Sequence, residues 1–181
     1  SVVYKRQVMN ILVTGANGQL GNEMQLVSKL SKTDSYTFTD VCEGYQKLDI
    51  TNLDEIRRVV AEGNIQCIIN CAAWTNVDKA ETAGPIVETL NATAPGYLAQ
   101  AMKEVGGLLV HISTDYVFDG RGTRPWEPDD ERHPLNVYGQ TKYEGELAVE
   151  ELVEKYFTVR IAWVFGVAGK NFIKTMLRLG R

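Results

Sequence analysis

Tyr138 and Lys142 stand four residues apart, the one place among eight tyrosines where a lysine follows at that distance. On a helix this spacing brings both side chains to one face, within reach of each other and of a common ligand. The chemistry such a pair suits is proton donation. A free tyrosine ionises near pH ~10, too high for efficient exchange at neutrality. A neighbouring ammonium stabilises the tyrosinate and lowers that value, each unit being about 1.4 kcal/mol of differential interaction. Ketone reduction calls for such a donor, because it consumes a hydride and a proton. The spacing alone says little, since chance supplies it in very roughly half of chains of this composition. A surface tyrosine beside a solvated lysine is the ordinary alternative, and position in the chain has to separate the two.

A source of hydride is suggested upstream. Gly15, Gly18 and Gly21 are spaced GxxGxxG within Val13-Thr14-Gly15-Ala16-Asn17-Gly18-Gln19-Leu20-Gly21, after an apolar run and before an amphipathic one. Glycines there permit a tight turn and a close backbone approach to a pyrophosphate, with free N–H groups at the helix start and close packing of helix on strand. A Walker loop is excluded, because no Gly-Lys-Ser/Thr follows. Asp40 lies about twenty residues further on, where a carboxylate can accept hydrogen bonds from adenosine ribose hydroxyls and would repel a 2′-phosphate, favouring NADH. An ordinary polar turn residue is the equal alternative. Asp49 could reach the adenine or serve as a charge at a helix start near Thr51.

A third element is the run His111-Ile112-Ser113-Thr114. Ligands sit at strand carboxyl ends in open parallel sheets, and a hydroxyl there can hydrogen-bond a substrate carbonyl and its developing oxyanion. Thr114 is preferred over Ser113. His111 reads as buried structure and His133, beside Pro134, as solvated.

These groups need a frame. Strands are expected at Val8–Val13, Tyr36–Thr39, up to Leu48, Ile65–Cys71, Leu108–Ile112 and Thr158–Val164. Helices are expected from Leu20, from an N-cap at Thr51, over Ile86–Val105 with a kink or restart at Pro95, over Val137–Lys155 and over Phe172–Leu179. Alternation of this kind predicts an α/β fold, a Rossmann-like doubly wound parallel sheet with helices on both faces. The Gly- and Pro-rich stretch from Gly120 to Pro134 reads as a mobile element over a site. Trp74 and Trp163 carry core readings, the latter from its place in a strand-like run.

Composition bounds the partners. At 181 residues, 44% hydrophobic and 23% charged, the chain is an ordinary one-domain globular sequence. Its net charge of -4 offers no basic footprint for nucleic acid. No apolar stretch is long enough to span a bilayer, and the polar start is no signal peptide, so neither membrane nor secretion is expected and a cytoplasmic protein is. Cys42, Cys67 and Cys71 suggest neither a disulfide framework nor a zinc site, the last two reading as buried thiols.

With their neighbours, these residues resemble the extended short-chain dehydrogenase/reductase family and, within it, the dTDP-4-dehydrorhamnose reductases. The resemblance rests on Ile112-Ser113-Thr114-Asp115-Tyr116-Val117-Phe118-Asp119-Gly120 and Leu135-Asn136-Val137-Tyr138-Gly139-Gln140-Thr141-Lys142, supported by Asn70 to Glu81 and Arg160 to Gly166. It implies that Gly18, Gln19 and Leu20 contact the cofactor pyrophosphate and that Asp40, Asp49 and Ile50 hold the adenosine. Ala73, Trp74 and Thr75 would line the cofactor, although Trp74 stands where the family often has histidine. Thr114 and Asp115 would contact substrate and Trp163 would border the sugar-nucleotide site. NADPH or NADH is the implied cofactor and a dTDP-sugar the substrate, reduced at a 4-keto group to dTDP-L-rhamnose, a precursor of cell-surface polysaccharide. Tyr138 would donate the proton, Lys142 would tune it and bind the nicotinamide ribose, and Thr114 would position the carbonyl. Related dehydratases carry an acidic pair directly after the threonine. Here Tyr116 follows Asp115, which favours simple reduction.

Other readings stay open: a different nucleotide-sugar reductase or epimerase, or a regulatory subunit like that of methionine adenosyltransferase, which keeps the fold and cofactor site without catalysis. Some members dimerise with Mg²⁺ at the interface, so a homodimer is implied as a partner state, while these residues point to no metal ligand set. Family chains are longer. Residues 9–181 are therefore expected to be a catalytic domain cut short at its C-terminus, with the small substrate domain largely missing and residues 1–8 an extension.

Overall fold

Ile11, Leu12, Val13 and Thr14 are all buried, as befits a strand covered on both faces. In the computed structural model, which describes residues 8–180, they form β1 (Asn10–Thr14) at the middle of a parallel sheet. The other strands are β2 (Ser35–Asp40), β3 (Gln46–Lys47), β4 (Cys67–Asn70), β5 (Leu108–Thr114) and β6 (Tyr156–Ile161). Their order is β3-β2-β1-β4-β5-β6. The order reverses between β1 and β4, so a crevice opens at their carboxyl ends, the place where such sheets take ligands. The extension expected at residues 1–8 lies, apart from Val8, outside the described residues.

One face of the sheet carries the larger core. Leu12, Ile68 and Leu109 stand side by side in register on three adjacent strands. They pack against α2 (Leu53–Glu62), α5 (Ala94–Val105) and α6 (Val137–Leu152) through Ile56, Leu98, Met102 and Val149, all fully buried. Each such side chain contributes about 1.5–3 kcal/mol. The opposite face is covered over β1 and β2 by α1 (Gln19–Ser28), whose Met24 joins Phe38 in packing against the cluster of Ile11, Val13 and Cys67. The expected two-sided winding is present, with the cover uneven between the faces.

Several boundaries differ from expectation, each for a local reason. The N-cap of α2 is Asn52, which accepts from the Glu55 N–H, whereas Thr51 turns its N–H and hydroxyl to Asp49 at 2.9 and 2.7 Å. The helix expected over Ile86–Val105 is interrupted: α4 (Pro85–Glu88) opens into a π-turn at Thr89–Thr93 before α5. Pro95 explains this, since its ring has no N–H for the Asn91 carbonyl and crowds it. A short helix α3 (Val77–Ala83), capped by Asn76, was not expected. The sixth strand starts at Tyr156 and ends at Ile161 rather than reaching Val164, because Trp163 adopts a left-handed φ of 53°. The last helix, α7 (Phe172–Leu179), falls where expected. Among the described residues no helix is long and apolar enough to cross a membrane.

Candidate active site

The β1–β4 crevice is a cavity of about 740 Å³ that runs along the carboxyl edge of the sheet. At one end are Gly15, Gly18, Gln19 and Leu20. The first intrahelical bond of α1 runs from Asn22 N to Gly18 O at 3.0 Å, so the N–H groups of Gln19 and Leu20 precede it and stand available to an anion. Gly21 is not in the lining. It is buried, and a Cβ there would lie 2.2 Å from Gly15 O, so its part is to let α1 approach the turn.

Asp40, Asp49 and Ile50 line the next stretch. Asp40 accepts from Asn17 N at 3.0 Å and from Cys42 N at 3.1 Å. Burial acts to raise its pKa, but these backbone donors outweigh burial and hold it below the usual carboxylate value. Asp49 accepts from Thr51, so both the ligand-facing and the helix-start alternatives describe part of its setting.

Ala73 and Thr75, after β4, also face the cavity, whereas Trp74 does not. The indole of Trp74 turns to Asn76 O at 2.9 Å, and its backbone is gripped at N–H and carbonyl by the Asn91 amide, at 2.9 and 3.1 Å. Asn91 is fully buried in the π-turn and was missed from sequence. An asparagine within an otherwise apolar helical run was the available signal. At the floor, Thr14 donates to Asn70 at 2.7 Å and the Asn70 amide meets His111 Nδ1 at 3.3 Å, tying the ends of β1 and β4 to the middle of β5. Burial, then the Lys142 charge, pushes the His111 pKa well below its ordinary value, so the ring is neutral.

The far end holds Thr114, Asp115, Tyr138 and Lys142. Tyr138 is brought there by the start of α6, which Asn136 caps by accepting from Gly139 N at 2.7 Å, while Glu81 of α3 accepts from Val137 N at 2.9 Å. Gly139 allows a close approach: a Cβ at that position would sit 2.3 Å from Tyr116 O. We expect Gly139→Ala to destabilise the fold by about 1–3 kcal/mol through overpacking. The check is a lower urea midpoint at unchanged m-value.

The Tyr138 ring meets Tyr116 edge-on at 5.7 Å. Burial pushes its pKa above the ordinary tyrosine value, with the Thr114 hydroxyl opposing. This departs from the expectation that Lys142 would lower it. The Lys142 ammonium is aimed at Ile112 O, at 2.6 Å, and is not among the groups that shift Tyr138. Burial brings Lys142 itself down to about 8, opposed by Glu146 one turn on. Thr114 donates to Asp115 at 3.1 Å and accepts from Tyr116 N at 3.2 Å.

Glu146 was also missed. It is fully buried, and burial acts to raise its pKa, yet hydrogen bonds from Arg160 and Arg132, each at 2.9 Å, hold it below the ordinary value. This triad, with the buried Glu146 between two partly exposed arginines, fastens the 119–136 stretch: Arg132 bridges on to Glu150 at 2.7 Å and Arg160 reaches Pro128 O at 2.8 Å. Trp126 adds a stack on Phe118 at 4.6 Å. The stretch expected to be mobile is thus tied down at several points. Its base, with Asp115, Tyr116 and Trp163, lines a second cavity of about 450 Å³ beside the first. Trp163 is 76% exposed, which overturns its core reading, and its indole meets Phe172 edge-on at 5.2 Å. The buried Cys67 and partly buried Cys71 are free thiols, pushed up to about 11 and about 12 by burial. Among the described residues no group of His, Cys, Asp or Glu side chains could hold a metal ion.

A parallel sheet with a glycine turn at its switch point, and a Tyr–Lys helix at the opposite end of one cavity, is a Rossmann-like fold of the short-chain dehydrogenase/reductase type. Residues 9–181 match the family described as the RmlD substrate binding domain, and the chain belongs to that family. It is 43% identical over 173 residues to the dTDP-4-dehydrorhamnose reductase of Burkholderia thailandensis, covering 96% of this chain and 56% of that one. It is 41% identical over 177 residues to that of Escherichia coli K12, covering 96% and 57%. The crystal structure of the Clostridium acetobutylicum reductase superposes with a TM-score of 0.89 at 47% identity, covering 95% of this chain and 59% of that one. The Bacillus anthracis reductase, solved in complex with NADP, gives 0.89 at 41% identity, covering 96% and 60%. The chain thus spans rather over half the length of these relatives.

Proposed function

We propose that this chain is the dinucleotide-binding and catalytic part of an NADPH- or NADH-dependent dTDP-4-dehydrorhamnose reductase. The carrying observation is that the glycine turn, Thr114, Tyr138 and Lys142 line a single cavity. The free N–H groups of Gln19 and Leu20 suit a pyrophosphate, and the volume suits a cofactor. A nicotinamide dinucleotide lying there would supply the hydride.

The remaining work falls to the protein. Tyr138, kept as a phenol by burial, holds the proton that the carbonyl oxygen takes up as it becomes a hydroxyl. The Thr114 hydroxyl, by exchanging Asp115 for the substrate oxygen, orients the carbonyl and stabilises its developing charge. Lys142, whose ammonium is aimed at Ile112 O beside Tyr138, would hold the nicotinamide ribose. The second cavity, bordered by Trp163 and sharing Asp115 with the first, is placed for the sugar nucleotide. The charged Asp40 favours NADH by repelling a 2′-phosphate. The relative with bound NADP keeps NADPH in the test. The free thiols fit a reducing compartment, which favours the cytoplasm.

The test is the full-length protein with dTDP-4-dehydro-L-rhamnose and either cofactor, read by loss of absorbance of the reduced nicotinamide. Consumption matched by dTDP-L-rhamnose supports the reading. Binding of dinucleotide with no turnover, together with capture of a methionine adenosyltransferase, would replace it with the regulatory one.

A further inference from the structure

The glycine turn offers a dinucleotide N–H donors but no side-chain cation, although a pyrophosphate brings two negative charges. Of the cavity-lining side chains among the described residues, two are cations. Lys142 belongs to the tyrosine end. The other is Lys170, in the segment that leads from β6 into α7, and it lines the cavity together with Gly169, Gly18 and Gln19.

That segment is fastened at the turn. Asn171 Nδ2 donates to Gln19 Oε1 at 3.3 Å and to Gly166 O at 2.9 Å. Gly169 lies directly against the Gln19 side chain. Lys174 Nζ donates to Val167 O and to Gly169 O, the latter at 2.9 Å, and Asn171 caps α7 by accepting from Lys174 N at 3.1 Å. The backbone on either side of Lys170 is therefore held beside the start of α1. Among the described residues the Lys170 ammonium has no hydrogen-bond or ion-pair partner, and the nearest acidic group of α1 to the segment, Glu23, lies against Gly166 instead.

We propose that residues 166–171 form a strap across the dinucleotide site and that Lys170 binds the cofactor diphosphate. The assignment rests on the cofactor reading above and adds to it a residue separated from the glycine turn by most of the chain. An exposed lysine held by its backbone, with its ammonium free, pairs with a phosphate without first breaking another contact. Its attraction acts over a few ångströms and is weakened by salt.

Isothermal titration of wild type, Lys170→Met and Lys170→Arg with NADH, ADP-ribose and adenosine tests this. Lys170→Met is expected to weaken NADH and ADP-ribose about tenfold at low salt, and less as salt rises. Adenosine binding, which involves no phosphate, should not change, and Lys170→Arg should retain most of the affinity. Because Lys170 is exposed, its loss leaves the fold intact, which thermal unfolding will verify. Equal affinity of Lys170→Met and wild type for ADP-ribose overturns the strap assignment alone, as does an equal loss for adenosine. A wild-type chain that takes up neither NADH nor ADP-ribose overturns both this assignment and the cofactor reading.

Discussion

A Tyr138→Phe variant is expected to bind reduced dinucleotide within about a factor of two or three of wild type and to lose 10²–10⁴-fold in turnover, about the contribution of a positioned general acid. The substitution removes one oxygen. The ring keeps its edge-on contact with Tyr116, and the Asn136 cap that sets the start of α6 is untouched. Tyr116 is the neighbouring phenol in the cavity, but no lysine follows it four residues on along a shared helix. Because burial raises the Tyr138 pKa, the group is fully protonated at neutral pH and competent as a donor in the reduction direction. Turnover within tenfold of wild type in single-turnover reduction would remove Tyr138 from the mechanism.

Lys142→Met should produce opposite effects on stability and function. Burial lowers the Lys142 pKa from 10.5 to about 8. Between those values the unfolded chain binds more protons than the folded one, so this group makes stability rise with pH across that window. Below pH 8 the cost of holding a buried ammonium is fully present, on the order of 3 kcal/mol. Methionine is of similar length and carries no charge, so the cost disappears. The lost hydrogen bond to Ile112 O returns about 1–1.5 kcal/mol of it. A net gain of about 2 kcal/mol should raise Tm at pH 7 by roughly 4–8 °C. The advantage should shrink above pH 8, vanish at pH ~9.5 and turn into a loss of about 1 kcal/mol by pH 10.5, where only the missing hydrogen bond is left. The same variant should be nearly inactive, since no ammonium is then left to hold the nicotinamide ribose beside Tyr138. Calorimetry of both proteins from pH 6 to pH 11 gives the comparison, and a variant less stable than wild type at pH 7 would show that the ammonium is solvated after all. A residue that costs stability where it stands fits a functional role better than a structural one.

Much of this was readable along the chain, because its determinants act between near neighbours. The apolar run Ile11–Val13 could only be a covered strand. Gly15, Gly18 and Gly21 between that strand and a helix define the turn within a few residues. Tyr138 and Lys142 share a face because a helix repeats every ~3.6 residues. Even the break before Pro95 follows from a ring that lacks an N–H.

What the tertiary structure decided depends on approach across the chain, where spacing carries no information. Asn91 grips Trp74 across 17 residues, and Asn171 reaches Gln19 across 152. Glu146 looks like any helical glutamate until Arg132 and Arg160 close on it from two other segments. Trp163 reads as strand by composition, yet its left-handed backbone turns it out to border both cavities. Sequence alone placed Tyr138 and Lys142 on one helical face. Only the fold determined that burial raises the tyrosine and lowers the lysine, because the cost of a charge is set by everything that excludes water around it, not by the residue four positions away.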